Sequence, residues 1–322
     1  MKTQNKPFVV ALEEHYWDPE LVAMFPGREG KRISDVEKRL LDLGAGRIGE
    51  MDEASVDLQV LSHGAPGTQK LDAENAVRMA RQTNDRLRKI IDGNPKRFAG
   101  FALLPTPAPA AAADELERAV KDLGLKGAMI HGLTNGKFID DPMFWPIFER
   151  AEKLDVPIYL HPSLPNATVT EIYYQDYAKD FPLVVRPAWG FTVETATQAI
   201  RLVLSGVFQQ HPKLKVILGH FGETLPFLMW RIDSALKRPG QKPLSFRDIF
   251  SNNFYVTTSG FFSNPALLCT VMEMGVDHIL FAIDWPFVAD NKPAVEWMAG
   301  VPLSDADKEK ILSGNARRLL KM

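Results

Sequence analysis

The chain has 322 residues, 45% hydrophobic and 24% charged, enough to close one large core. A formal net charge of -2 leaves no basic excess to neutralise a phosphate backbone or an anionic membrane surface, so neither nucleic acid nor membrane is an expected partner. Residues 1–7 lack the apolar stretch of a secretion signal, and no apolar run approaches the roughly 20 residues that span a bilayer, so the expected location is cytoplasmic.

Short apolar runs, each short enough for a strand buried on both faces, recur along the chain with amphipathic stretches between most of them. The first, residues 8–12, leads into Glu13-Glu14-His15, where strand alternation predicts Glu13 and His15 on one side. Residues 44–49 contain glycines but lie between helical segments and form no phosphate loop. The second run, 57–62, ends at His63 and is followed by helical spacing over 73–93. The third, 98–104, passes through a Pro- and Ala-rich stretch, 105–113, into a helix predicted over 109–123. The fourth, 127–130, ends at His131, and the fifth, 157–160, at His161. Residues 172–189 carry several aromatics and no clear period, which predicts an inserted loop over the mouth of the fold.

A helix predicted over 192–210 closes at His211, where a cation offsets the helix dipole, and the sixth run, 214–219, delivers His220 with Glu223 three residues on. Glu223 reads either as an acid in the first turn of a helix or as the group that orients His220. The seventh run is 254–258, and the helix predicted over 264–275 contains the single cysteine, Cys269, in an apolar setting that suggests a buried small hydrophobe. The eighth run, 278–283, begins with His278 at the far end and finishes at Asp284.

Eight such runs alternating with helices predict a single α/β domain over 1–322, a parallel (β/α)8 TIM barrel with inserted loops over the C-terminal face. Five of the seven histidines, His15, His63, His131, His161 and His220, then fall just past a strand and converge on the face where active sites of this fold lie. Imidazoles and carboxylates from separate strands suit a catalytic divalent metal with an open position, with Glu13, His15, His161 and Asp284 as the ligand set. Zinc fits the nitrogens, while two carboxylates and no thiolate admit Mn2+ or Mg2+.

Ala11-Leu12-Glu13-Glu14-His15, Tyr159-Leu160-His161-Pro162, Leu218-Gly219-His220-Phe221-Gly222-Glu223, Met229-Trp230-Arg231-Ile232-Asp233, Ile283-Asp284-Trp285-Pro286-Phe287 and the closing Asn315-Ala316-Arg317-Arg318-Leu319-Leu320 together span nearly the whole chain. As a set they resemble the amidohydrolase-superfamily, ACMSD-like decarboxylases, most closely those of the γ-resorcylate (2,6-dihydroxybenzoate) and salicylate types. The resemblance implies a barrel, one Zn2+, Mn2+ or Mg2+ ion, and a carbon-carbon lyase that reversibly and non-oxidatively decarboxylates a small aromatic acid with an ortho hydroxyl. It puts the metal on Glu13, His15, His161 and Asp284, gives Asp284 the added task of protonating the ring carbon, and has His220 and Glu223 assisting. It sets Phe25 and Phe287 against the substrate ring and Arg231 near a subunit boundary of a homodimer or homotetramer. His63 and His131 stand where these decarboxylases carry apolar or amide residues. They read either as recognising a further anionic or hydroxyl substituent or as hydrogen-bonding neighbouring loops. The alternative activity for the same constellation is hydrolysis of a lactone or amide by metal-bound hydroxide, and the non-catalytic alternative is a metal-dependent binding module.

Overall fold

The computed structural model describes residues 6–25, 34–236, 245–287 and 290–322. Its strands are β1 (Val10–Tyr16), β2 (Leu58–His63), β3 (Phe98–Gly100), β4 (Ala102–Leu103), β5 (Ala128–His131), β6 (Ile158–His161), β7 (Val216–Leu218), β8 (Phe254–Thr257) and β9 (Ile279–Leu280). Every paired strand is parallel, in two sheets ordered β1-β2-β3 and β4 through β9 in sequence. This is the α/β architecture expected from apolar runs alternating with helices. The strands are buried almost throughout, as covered parallel strands must be.

Backbone contacts link the two sheets on both sides. Between β3 and β4 the chain changes neighbours at one residue: Phe101 N donates to Leu61 O at 2.9 Å and Ala102 N to Gly127 O at 2.8 Å. At the other side Leu12 forms a parallel bridge with Ala282, and Leu12 N donates to Phe281 O at 3.0 Å.

The apolar side chains divide accordingly. One cluster gathers alternate strand residues such as Val10, Leu12, Val60, Met129, Tyr159 and Ile217. A larger one lies between strands and helices, with Ile158, Leu160, Val216, Leu218 and the phenylalanines 144, 148, 250 and 254. Residues i and i+2 of a strand share a face, so neighbouring residues of β6 and β7 enter different cores.

The helix Ala73–Gly93 matches the predicted span. The Asp72 carboxylate accepts from Asn75 N at its start, and Ala76, Met79, Ala80, Thr83, Leu87 and Ile91 form its buried face. Full burial of Met79 or Leu87 contributes about 2 kcal/mol each. Gly100 permits the close approach beneath this helix, because a Cβ there would meet Leu87 Cδ2 at 2.8 Å.

Three expectations need correction. Residues 172–189 are largely ordered as the end of helix Ala167–Ala178, started by the Asn166 cap, and the short turn Pro182–Val185. Residues 45–49 lie within helix Ala45–Ala54 rather than between helices. Cys269 is half-buried, on helix Asn264–Met274, where burial and the Glu273 carboxylate raise its thiol pKa, which favours an unreactive thiol. None of the described helices is long and apolar enough to cross a membrane.

Candidate active site

Glu13, His15, His161 and Asp284 converge from β1, from β6 and from the segment after β9. One ligand atom from each lies within 4.8 Å of all the others, and all four residues are buried. His161 Nε2 is 3.2 Å from Glu13 Oε1, and His15 Nε2 is 3.3 Å from Asp284 Oδ1.

Simple alternation along β1 does not produce this arrangement. Glu13 has φ +62°, and the register with β2 slips between Ala11 and Glu14. Such a bulge re-aims a side chain. Glu14 is buried as well, and its Oε1 accepts from Ile283 N at 3.0 Å, tying β1 to the residue before Asp284. Burial raises the Glu14 pKa well above the usual carboxylate range, opposed by that N–H and by Arg47. The buried Arg47 donates to His15 O at 2.8 Å and to Gln59 Oε1 at 2.7 Å, with its guanidinium 4.0 Å from the centre of the Trp285 ring. The backbones of His15 and of the Asp284 segment are thus held by one buried network.

The donor atoms are prepared for a cation. Glu13 Oε2 accepts from the hydroxyls of Tyr159 and Thr257, which leaves buried Oε1 without a hydrogen-bond partner. His15 Nδ1 meets Ser62 Oγ at 3.1 Å, while His15 Nε2 is also buried without a hydrogen-bond partner. His161 Nδ1 faces Pro162 O at 2.7 Å and His131 Nδ1 at 2.9 Å, so its Nε2 is the nitrogen turned to Glu13. Gly219 completes the cradle, since a Cβ there would stand 3.1 Å from Glu13 Oε2. Two bare nitrogens and two carboxylates, each fixed by its other atom or its backbone, are what one divalent ion requires.

The electrostatics agree with this assignment. Burial holds His15 and His131 below the usual imidazole range, and neutral imidazole is the form that ligates. For Glu13 burial works in the opposite sense, but His220, His161 and His15 hold its carboxyl below the usual range.

His220 and Glu223 form a pair, with His220 Nδ1 2.8 Å from Glu223 Oε1. The Glu223 carboxylate therefore touches the imidazole directly. Burial pulls the His220 imidazole down, yet Glu223, Glu13 and Asp284 overcome this and raise its pKa well above the usual range. Its Nε2 lies 3.9 Å from both Glu13 Oε1 and Asp284 Oδ2. Nε2 is thus the ring nitrogen that faces the cluster. In Glu223→Gln we expect kcat to fall by about tenfold to a hundredfold with KM nearly unchanged, and Glu223→Asp to recover part of the loss. Steady-state kinetics of both variants check this; a loss confined to KM would remove the orienting role.

Above the cluster opens a cavity of about 300 Å3, lined in part by His131, His161, His220, Asp284 and Phe287. The Phe287 ring lies 5.5 Å from that of His15. From the segment predicted as an inserted loop, Leu183, Arg186 and Pro187 reach the cavity wall. His131 borders the cavity, but its nitrogens are engaged by His161 and by His63 O at 2.7 Å. His63 receives Asp18 N at 2.9 Å on Nε2 and meets Gly64 O at 2.7 Å through Nδ1.

Phe25 packs on the small cluster of Leu21, Leu71 and Met79 and is not among the described residues lining the cavity. Arg231 is exposed on helix Leu225–Ala235, likewise outside the lining. His211 pairs with Glu152 and His278 with Phe254 O, away from the cavity. Sequence reasoning missed Tyr159, Thr257 and Ser62, whose hydroxyls meet Glu13 and His15. Tyr159 could have been found as the residue two before His161 on the same strand face.

The amidohydrolase family profile matches residues 14–322. A γ-resorcylate decarboxylase from a Rhizobium species is 40% identical over 326 residues, spanning 97% of this chain and 98% of that one. The crystal structure of a 2,6-dihydroxybenzoate decarboxylase complexed with 2,6-dihydroxybenzoate is 39% identical with a TM-score of 0.88, over 98% of this chain and 100% of that one. A dihydroxybenzoic acid decarboxylase from a Polaromonas species, holding manganese and the inhibitor 2-nitroresorcinol, gives the same identity and TM-score over 98% of this chain and 97% of that one.

Proposed function

The chain belongs to the amidohydrolase family, and on that premise we propose that it is a metal-dependent, non-oxidative and reversible decarboxylase of an aromatic acid with a hydroxyl ortho to its carboxylate. The observation that carries the reading is the position of Asp284. It is a member of the four-group cluster and also lines the cavity, so one carboxyl group faces both the metal site and a bound ring. Glu13, the other carboxylate of the cluster, is fully buried beneath it.

Glu13, His15, His161 and Asp284 would hold one divalent ion, Mn2+ by likeness to the Polaromonas structure, with Zn2+ and Mg2+ also suited to the donors. When bound, the ion supplies Lewis-acid polarisation of the substrate's carboxylate and phenolic oxygens. Phe287 packs against the ring and orients it. Protonated Asp284 delivers its proton to the carboxyl-bearing ring carbon. The carbon-carbon bond then breaks, its electron pair restores the aromatic ring, and carbon dioxide leaves; Asp284 recovers a proton from solvent. The His220 imidazole, oriented by Glu223, faces Asp284 and supports the negative charge that returns to the phenolic oxygen as carbon dioxide leaves and aromaticity is restored.

The hydrolytic alternative drew on His63 and His131, and both imidazoles engage their nitrogens with protein partners. The closed (β/α)8 barrel, a single domain, is supported by the Phe101 crossover and the Leu12–Ala282 bridge. A homodimer or homotetramer with Arg231 near the subunit boundary is supported by exposed Phe227 and Trp230 on the same helix.

The test is carbon dioxide release from ortho-hydroxybenzoates compared with their meta and para isomers, on enzyme loaded with Mn2+. Release from at least one ortho acid and from none of the isomers is the expected result. Release from none of them by metal-loaded protein overturns the reading.

A further inference from the structure

Two side chains on the cavity wall have no polar partner among the described residues. Gln69, past the end of β2, lines the cavity and is only 2% exposed, yet neither its Oε1 nor its Nε2 has a hydrogen-bond partner. A buried carboxamide without partners is a costly arrangement that a ligand group would relieve. Gly67 makes room for it: a Cβ there would stand 2.4 Å from Gln69 Oε1 and 3.4 Å from His131 Cδ2. The amide and the His131 ring therefore share one side of the cavity. Arg186, between the turn Pro182–Val185 and helix Gly190–Ser205, also lines the cavity, and among the described residues its guanidinium makes no hydrogen bond, ion pair or ring contact. Arg47, Arg86, Arg118 and Arg150, by comparison, all bond to carboxylates, amides or carbonyls.

We propose that this wall binds a second anionic group, so that the preferred substrate is an ortho-hydroxybenzoate whose ring carries an additional carboxylate, gripped by Arg186 with the Gln69 amide beside it. The inference rests on the decarboxylase reading, in which the carboxylate facing the metal cluster is lost; the one at Arg186 is retained in the product. Space allows it, because a cavity of about 150 Å3 accommodates a bare benzene ring, and about 300 Å3 is present here. The chemistry favours it too. A guanidinium offers a carboxylate two parallel N–H donors, and the partly enclosed, largely apolar surroundings strengthen that bond over its value in water. Neutral hydrophobic substituents would leave both Arg186 and Gln69 unsatisfied.

Binding and turnover separate this wall from the reaction. Salicylate and its carboxylated analogues hydroxyterephthalate and hydroxyisophthalate are titrated calorimetrically against Mn2+-loaded enzyme, and carbon dioxide release is followed for each. At least one dicarboxylate is expected to bind about tenfold or more tighter than salicylate and to be decarboxylated with a correspondingly higher kcat/KM. Arg186→Ala should weaken that dicarboxylate about tenfold more than it weakens salicylate, chiefly through KM, and Arg186→Lys should recover part of the difference. Preference of the wild-type enzyme for salicylate, or equal weakening of both ligand types in Arg186→Ala, overturns the proposal. An Arg186-dependent preference for the dicarboxylate in calorimetry, with no carbon dioxide released from any acid, sustains the anion-binding wall and overturns the decarboxylase reading instead.

Discussion

Asp284→Asn lowers kcat by about a thousandfold or more, even when the variant is saturated with Mn2+. The substitution keeps the size of the side chain and removes the carboxyl group that belongs to both the cluster and the cavity wall. Asparagine is the appropriate replacement on backbone grounds as well. Asp284 has φ +66°, a left-handed conformation that Asn tolerates better than most residues, whereas Ala would add strain to chemical loss. His15, 3.3 Å away, and His220, 3.9 Å away, remain to hold substrate and metal, so binding should weaken far less than turnover. The check is kcat together with metal content measured by atomic absorption on the same sample. A metal-loaded variant within tenfold of wild-type kcat would take the proton-donor role away from Asp284.

Removing the metal is expected to abolish turnover while leaving a folded protein. The cluster is tied into the fold without the ion: Glu13 Oε2 is bound by the Tyr159 and Thr257 hydroxyls, and the carboxyl is held below its usual range, by His220 foremost. Circular dichroism of chelated enzyme should therefore keep its native shape. Stability should drop nonetheless, because an ion present at a hundred times its Kd contributes about 2.7 kcal/mol to the folded state. For a chain of this length that corresponds to a fall in Tm of about 5 °C. Adding back Mn2+ should restore both Tm and carbon dioxide release. Unchanged activity after exhaustive chelation would mean that these four groups serve a structural purpose.

Much of this was legible from residue order because strands of a parallel α/β fold carry functional side chains at their C-terminal ends. His161 and Asp284 were visible as polar residues ending apolar runs, and the helix Ala73–Gly93 as a regular stripe of buried positions. Elsewhere the signals were weak for physical reasons. The helix Ala167–Ala178 buries only Tyr174, with Ile172, Tyr173 and Tyr177 exposed, so it has no apolar stripe to read. Tyr159 counts as apolar in any strand pattern, and its hydroxyl acts on Glu13, 146 positions away. The re-aiming of Glu13 depends on a backbone bulge that alternation cannot anticipate. Arg186 and Gln69 were unremarkable in sequence, since what distinguishes them is the lack of a side-chain partner among the described residues.

The backbone at the site has a consequence for how this protein can change. Glu13, His220 and Asp284 all hold positive φ, at +62°, +50° and +66°. Glycine would adopt each conformation with about 1 kcal/mol or more less strain. Together these three positions withhold about 3 kcal/mol from a fold whose whole margin is on the order of 10 kcal/mol. In metal-free protein, where the ion's contribution is absent, selection for thermal robustness alone would therefore be drawn toward glycine at the residues that do the chemistry. A laboratory lineage evolved for stability without metal or an activity screen would lose the site while improving the fold, so heat tolerance and turnover have to be selected together.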